Sequence, residues 1–182
     1  PVDRRQRQMC IRDRSLPGAD EGGGHFSHAT QITPDNVTDL EIAWTHRSGD
    51  FREGENFIGG LSGESPLQSS WQATPVLIED HLYLCTAFNR ILAIHAETGT
   101  ERWSYSPDID LESFPMPRCR GVTQWTDKRV PSTEPCHLVV IAPLMDARVV
   151  GLDAATGQTC PFGDVTELDL SKGLGPYEAG FY

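Results

Sequence analysis

Three groups of residues in this chain are of types that do chemistry. The first is five cysteines, Cys10, Cys85, Cys119, Cys136 and Cys160. They form no CxxC pair and no Cys/His spacing that matches a zinc site. In an oxidising compartment four of them could pair, but spacing alone does not say which pairs form. The second is His25 and His28, an HxxH in a Gly-rich loop, which is a weak metal signature. The third is Gly22-Gly23-Gly24, which suggests a phosphate cradle. No Lys follows it, and Asp20 and Glu21 would repel an anion, so a flexible loop is the better reading.

The background against which these residues sit is acidic. The 182 residues carry a net charge of −11, and the only lysines are Lys128 and Lys172. A nucleic-acid or anionic-membrane surface needs a basic stripe, and none is visible. The longest apolar run, Leu138 to Met145, is strand-sized and too short for a membrane helix. The first residues are charged and polar, unlike a signal peptide. Residues 1–14, "PVDRRQRQMCIRDR", hold five Arg and two Asp without any periodicity. They read either as a basic arm or as translated sequencing-adapter read-through from environmental DNA. The second reading is taken, and the domain is placed at residues 15–182.

The elements that must position any site are short and β-rich. "TPDNVTDLEIAW" (33–44) reads as a short helix with Thr33 as N-cap and Val37, Leu40 and Ile42 as a partial apolar face, leading into a strand that ends near Arg47. Residues 48–71 read as a long surface loop. "ATPVLIEDHLYLCTA" (73–87) is two apolar runs broken at Glu79-Asp80, a hairpin signal, followed by a strand "RILAIHA", a turn "ETGT" and a strand "ERWSYS". The plan then repeats. "RVVGLDAATGQTCP" (148–161) aligns without a gap on "RILAIHAETGTERW" (90–103), and "HLVVIAPLM" (137–145) echoes "HLYLCTAFN" (81–89) with a two-residue insertion. Between the copies lies a stretch, 110–135, longer than a hairpin needs, which in a compact repeat is usually functional or disordered.

A four-stranded unit at this period fits a β-propeller blade. Gly99 and Gly157 have a backbone explanation in the tight turn, and Trp103 one as an aromatic plug between blades. The fold class is therefore all-β, a partial propeller of two to three blades. Such a piece exposes blade faces and unpaired strand edges, so it is expected to fold poorly alone.

The repeats "AIHAETGTERW" and "GLDAATGQTCP" resemble the "ALD-A-x-TG-x-x-x-W" repeats of quinoprotein propellers, the second without the Trp. Repeats of this kind also occur in non-enzymatic propellers that act as protein-binding scaffolds, which is the alternative reading. "HFSHATQITPDNVTDLEIAWTHRSGD", "WQATPVLIEDHLYLCTAFNRILAIHA" and "CRGVTQW" resemble, in order, segments of the PQQ-dependent dehydrogenases and of their membrane-bound glucose/quinate branch. The resemblance implies an eight-bladed propeller in the full-length protein. It also implies oxidation of a sugar, polyol or other alcohol by hydride transfer to PQQ, with electrons passed to a respiratory quinone. A Ca²⁺ or Mg²⁺ cofactor and a periplasmic location with an inner-membrane anchor come with it.

Carried over residue by residue, Arg120 of "CRG" occupies the position whose guanidinium meets a carboxylate of PQQ, a tricarboxylate for which Arg is the natural bidentate partner. Without the motif it would read as a surface Arg. Gln72 matches a position where relatives carry Glu or Gln near another edge of the cofactor; a hydrogen-bonded loop residue is the alternative. Phe88 stands where relatives with glucose activity have His, which disfavours glucose. Only Cys119 precedes the Arg, where the soluble alcohol-oxidising branch has a vicinal Cys pair. Cys119 and Cys136 flank the long insert, and a disulfide between them would hold it over the cofactor pocket; buried free thiols are the alternative. No catalytic residue and no metal ligand is assigned in this chain, since the family's catalytic Asp and most metal ligands are expected beyond Tyr182.

Overall fold

The computed structural model describes residues 30–50, 70–114 and 117–171. Cys10, His25, His28, the triple glycine, residues 1–14 and most of the 48–71 loop lie outside these residues. In chain order the described residues hold β1 (Ser70–Thr74), β2 (Val76–Ile78), β3 (His81–Cys85), β4 (Ile91–His95), β5 (Glu101–Tyr105), β6 (Arg118–Gly121), β7 (Thr123–Thr126), β8 (Leu138–Pro143), β9 (Arg148–Asp153) and β10 (Glu167–Asp169).

They build two antiparallel four-stranded sheets, β2-β3-β4-β5 and β7-β8-β9-β10, and a two-stranded parallel pair, β1-β6. Each four-stranded sheet is one blade. The strands β3 and β4 read as unbroken apolar runs because both their faces are covered. One face of the first blade, with Val76, Tyr83, Cys85, Ile91 and Ala93, shares a core with Val140, Ala142, Val150 and Leu152 of the second. The other face, Leu84, Leu92 and Ile94, packs against Trp44 and Leu82. Ile91, Leu92 and Leu152 are fully buried. Truncating any of these to Ala costs on the order of 2–5 kcal/mol.

The repeated turn is what joins the blades. Trp44 donates its indole N–H to the Ala96 carbonyl at 2.9 Å, and Trp103 donates to Ala154 at 3.0 Å. Each ring lies flat on the turn glycine that follows: a Cβ on Gly99 would stand 2.6 Å from Trp44, and one on Gly157 2.7 Å from Trp103. Within each turn the glycine N–H donates back to the residue four earlier, His95 or Asp153, at 2.9 and 2.8 Å. The Trp103 plug expected from the sequence is thus a contact between the first blade and the second.

Three expectations are corrected. The helix over 33–44 reduces to one 3₁₀ turn, Val37–Asp39, and no strand follows it before Asp50. Val37, Leu40 and Ile42 are exposed, so no packed face offsets the cost of helix nucleation. Thr33 is no cap either; Asn36 precedes the turn and accepts from the Thr33 N–H at 2.7 Å. Cys119 does not pair with Cys136. The disulfides are Cys85–Cys119, with Cα atoms 5.9 Å apart, and Cys136–Cys160, at 5.8 Å. The reason is topological: β6 lies beside β3, at whose end Cys85 sits. Finally, the strand register makes Val139, not His137, the counterpart of His81, because Val139 faces Asp153 as His81 faces His95. The offset of 58 residues therefore holds from His81 and Val139 onward, without the two-residue insertion, and the second copy's extra length lies in the β7–β8 loop.

Candidate functional site

The two predicted cofactor residues are far apart in sequence and come together on β1 and β6. The strands run parallel, with Trp71 opposite Cys119. Gln72 and Arg120 each follow that pair, in the step where the register shifts before Thr74 pairs with Gly121. Both residues are exposed, while their neighbours Ala73 and Cys119 are buried. The Arg120 guanidinium has no hydrogen bond or ion pair among the described residues, although the chain is rich in carboxylates. A guanidinium with no partner among the described residues has the chemistry to take a carboxylate bidentately.

The strand that carries Arg120 is fixed by the blades on either side of it. Cys119 is bonded to Cys85 at the end of β3. Asn89, in the β3–β4 turn, donates its side-chain N–H to the Arg118 carbonyl at 3.0 Å. Gly121, with φ +153°, closes the "CRG" motif in a conformation that L side chains rarely adopt. Phe88 occupies the same turn, half-buried, and its N–H donates to Asp50 Oδ2 at 2.8 Å. Asp50 also faces Arg90 Nη1 at 3.6 Å. These two contacts seat the 88–90 turn against residues 48–50.

The groups with strongly perturbed pKa values lie elsewhere and are structural. Arg148 bonds Asp146 and Glu167 and donates to the Asp108 carbonyl at 2.7 Å; the Asp146 hydrogen bond first, then Glu167, raises its pKa further. Burial, then the hydrogen bond to Glu167, pushes Tyr105 up to about 12. Burial does the same to Tyr83, whose O–H donates to Ala154 at 2.9 Å. These contacts tie the first blade to the second. On the β7–β8 loop, the Arg129 hydrogen bonds hold the Asp127 carboxyl down to about 2.

Sequence reasoning missed Asn89, Asp153 and Arg148. Asp153 was findable, since "LDAATG" is an Asp followed by Thr at turn spacing: its Oδ1 accepts from the N–H groups of Ala155 and Thr156. No group of three or more His, Cys, Asp or Glu among the described residues could hold a metal. None of their helices is long and apolar enough to cross a membrane.

Residues 15–182 match the protein family described as "Glucose/ethanol/alcohol dehydrogenase, beta-propeller domain", of the PQQ class. The chain belongs to this family. Relatives include the glycerol dehydrogenase large subunit of Gluconobacter oxydans (strain 621H), 33% identical over 93% of this chain and 22% of the relative. The quinoprotein glucose dehydrogenase of Escherichia coli (strain K12) is 32% identical over 94% of this chain and 22% of the relative. The quinate/shikimate dehydrogenase (quinone) of Acinetobacter baylyi (strain ATCC 33305 / BD413 / ADP1) is 30% identical over 96% and 22%. The crystal structure of the quinohemoprotein alcohol dehydrogenase from Comamonas testosteroni superposes with a TM-score of 0.66 at 24% identity, covering 94% of this chain and 22% of that one. The resemblance read from the sequence to the glucose/quinate branch and the propeller fold both stand. This quinoprotein propeller chain spans about a fifth of the length of the relatives it matches.

Proposed function

We propose that this chain supplies one wall of the cofactor site of a PQQ-dependent dehydrogenase that oxidises a sugar, a polyol or another alcohol. The observation that carries the reading is the placement of Arg120 and Gln72 on neighbouring strands, both exposed, with no partner for the guanidinium among the described residues. Arg120 would hold a carboxylate of the cofactor, for which its guanidinium is suited, and the Gln72 carboxamide would donate to another. Bound PQQ supplies the electrophilic quinone carbonyl that accepts hydride. The part of this chain is to bind and orient it; the general base and the ligands of a Ca²⁺ or Mg²⁺ ion belong to the rest of the protein.

Phe88 disfavours glucose, since it offers no hydrogen-bond donor where relatives with glucose activity carry His. Electron delivery to a respiratory quinone and a periplasmic, inner-membrane-anchored setting complete the reading, on the strength of family membership. Residues 1–14 lie outside the matched stretch and are treated as foreign to the domain.

The test is titration of the complete protein with PQQ. Arg120→Ala is expected to weaken binding about tenfold to a hundredfold, the range for a hydrogen bond to a charged group. Absence of PQQ binding by the unaltered protein would leave the non-enzymatic scaffold as the surviving reading.

A further inference from the structure

Strand pairing alone does little to fix the direction of the short strand β6. It spans four residues and pairs only with β1, in a two-stranded ladder that slips register after Trp71. A guanidinium that must meet a carboxylate bidentately tolerates little tilt of its strand. The Cys85–Cys119 bond holds one side chain of β6 on its buried face. A strand pinned at one side chain can still pivot about that point. A second hold, on the main chain, is needed to aim the residue that follows.

Asn89 provides it. Its residue is 1% exposed, and its backbone is left-handed, with φ 62°, a conformation Asn tolerates better than most residues. Its Nδ2 donates to the Arg118 carbonyl at 3.0 Å, while its Oδ1 accepts the Met145 N–H at 2.8 Å from the β8–β9 turn. One carboxamide thus joins the first blade, β6 and the second blade. Met145 follows Leu144, whose N–H closes the β8–β9 turn onto Arg148 as Thr86 closes the β3–β4 turn onto Arg90. Asn89 is therefore referenced to two rigid blade turns and transfers that reference to β6.

We infer that Asn89 is a positioning residue for cofactor binding: it acts through Arg120 by fixing the main chain of β6 two residues upstream. The inference rests on the cofactor reading of Arg120, and a thermodynamic cycle separates the two. In the complete protein, PQQ affinity is measured for the unaltered chain, Asn89→Asp, Arg120→Ala and the double variant. Asn89→Asp keeps the acceptor for Met145 and the left-handed preference but loses the donor to Arg118. It should weaken PQQ about five- to tenfold when Arg120 is present, and by less than about twofold when Arg120 is already Ala.

Equal losses in both backgrounds would overturn the inference, because a general loosening of the fold does not depend on Arg120. Unchanged affinity in Asn89→Asp would overturn it too. If Arg120→Ala binds PQQ like the unaltered protein, the cofactor reading itself fails and the inference falls with it. Should Asn89→Asp not fold, Asn89→Gly is read in the same cycle, since Gly keeps the left-handed turn and removes every side-chain bond.

Discussion

The first blade closes its fourth strand at once; the second takes a detour. In the first, β5 begins two residues after Gly99, and Leu92 pairs with Ser104. The counterpart of Leu92 is Val150, which pairs with Glu167, five residues later than the repeat requires. The extra residues form a small excursion around Phe162, whose ring packs on Gly151. Pro161 stands where Trp103 stands in the first copy, and the neighbouring Cys160 is bonded to Cys136. The turn and the two central strands are held in common. What differs is the closure: an indole on the next turn for the first blade, a disulfide within the second. The repeat therefore preserves the central strands and their turn and relaxes the fourth strand.

The common part is the easiest to break. Gly99→Ala and Gly157→Ala each put a Cβ inside a tryptophan ring at a positive φ. Each should cost about 2–4 kcal/mol, with a matching fall in the melting temperature of the complete protein. If only one of the two is costly, the Trp44 and Trp103 contacts are not equivalent. Next in size is the closure. Cys136→Ser with Cys160→Ser opens a bond across 24 residues of sequence and should cost about 3 kcal/mol, leaving PQQ affinity unchanged, in denaturant melts and titration. A loss of affinity there would mean that the second blade's edge reaches the cofactor wall.

The repeat was legible because its strands are continuous apolar runs ending in a Gly turn, and a period can be read from composition alone. The site was legible only by resemblance. "SWQAT" and "RCRG" alternate polar and apolar residues over only a few positions, and their pairing is parallel and distant in sequence, so no local pattern reports it. The cysteine partners followed from which strands lie side by side, which spacing does not encode. The helix over 33–44 failed because three apolar residues at helical spacing do not ensure a surface to pack on. His137 misled because its resemblance to His81 crossed the very loop that holds the extra length.

The smallest effect concerns the two β-hairpin loops, Glu79-Asp80 in the first blade and 127–137 in the second. The Asp127 carboxyl is held to about 2, below its unfolded value of about 3.9. Its contribution is therefore present above pH 4 and is lost as the pH falls from about 4 to about 2. NMR titration should show this, and Arg129→Ala should bring the midpoint back toward the unfolded value. Burial raises Asp80, but its bond with His81 and the charges of His81 and His95 outweigh that and leave it lowered. An Arg129→Ala variant should leave that titration where it is.

A single carbonyl oxygen, that of Ala154, receives both the Tyr83 hydroxyl and the Trp103 indole from the neighbouring blade. Both its lone pairs are used, and both by donors addressed to the peptide and not to the side chain. Such a joint is indifferent to the letter written at the position it grips. Blades joined in this way can drift in sequence while keeping their angle to one another, much as bricks of any colour fit one mortar course.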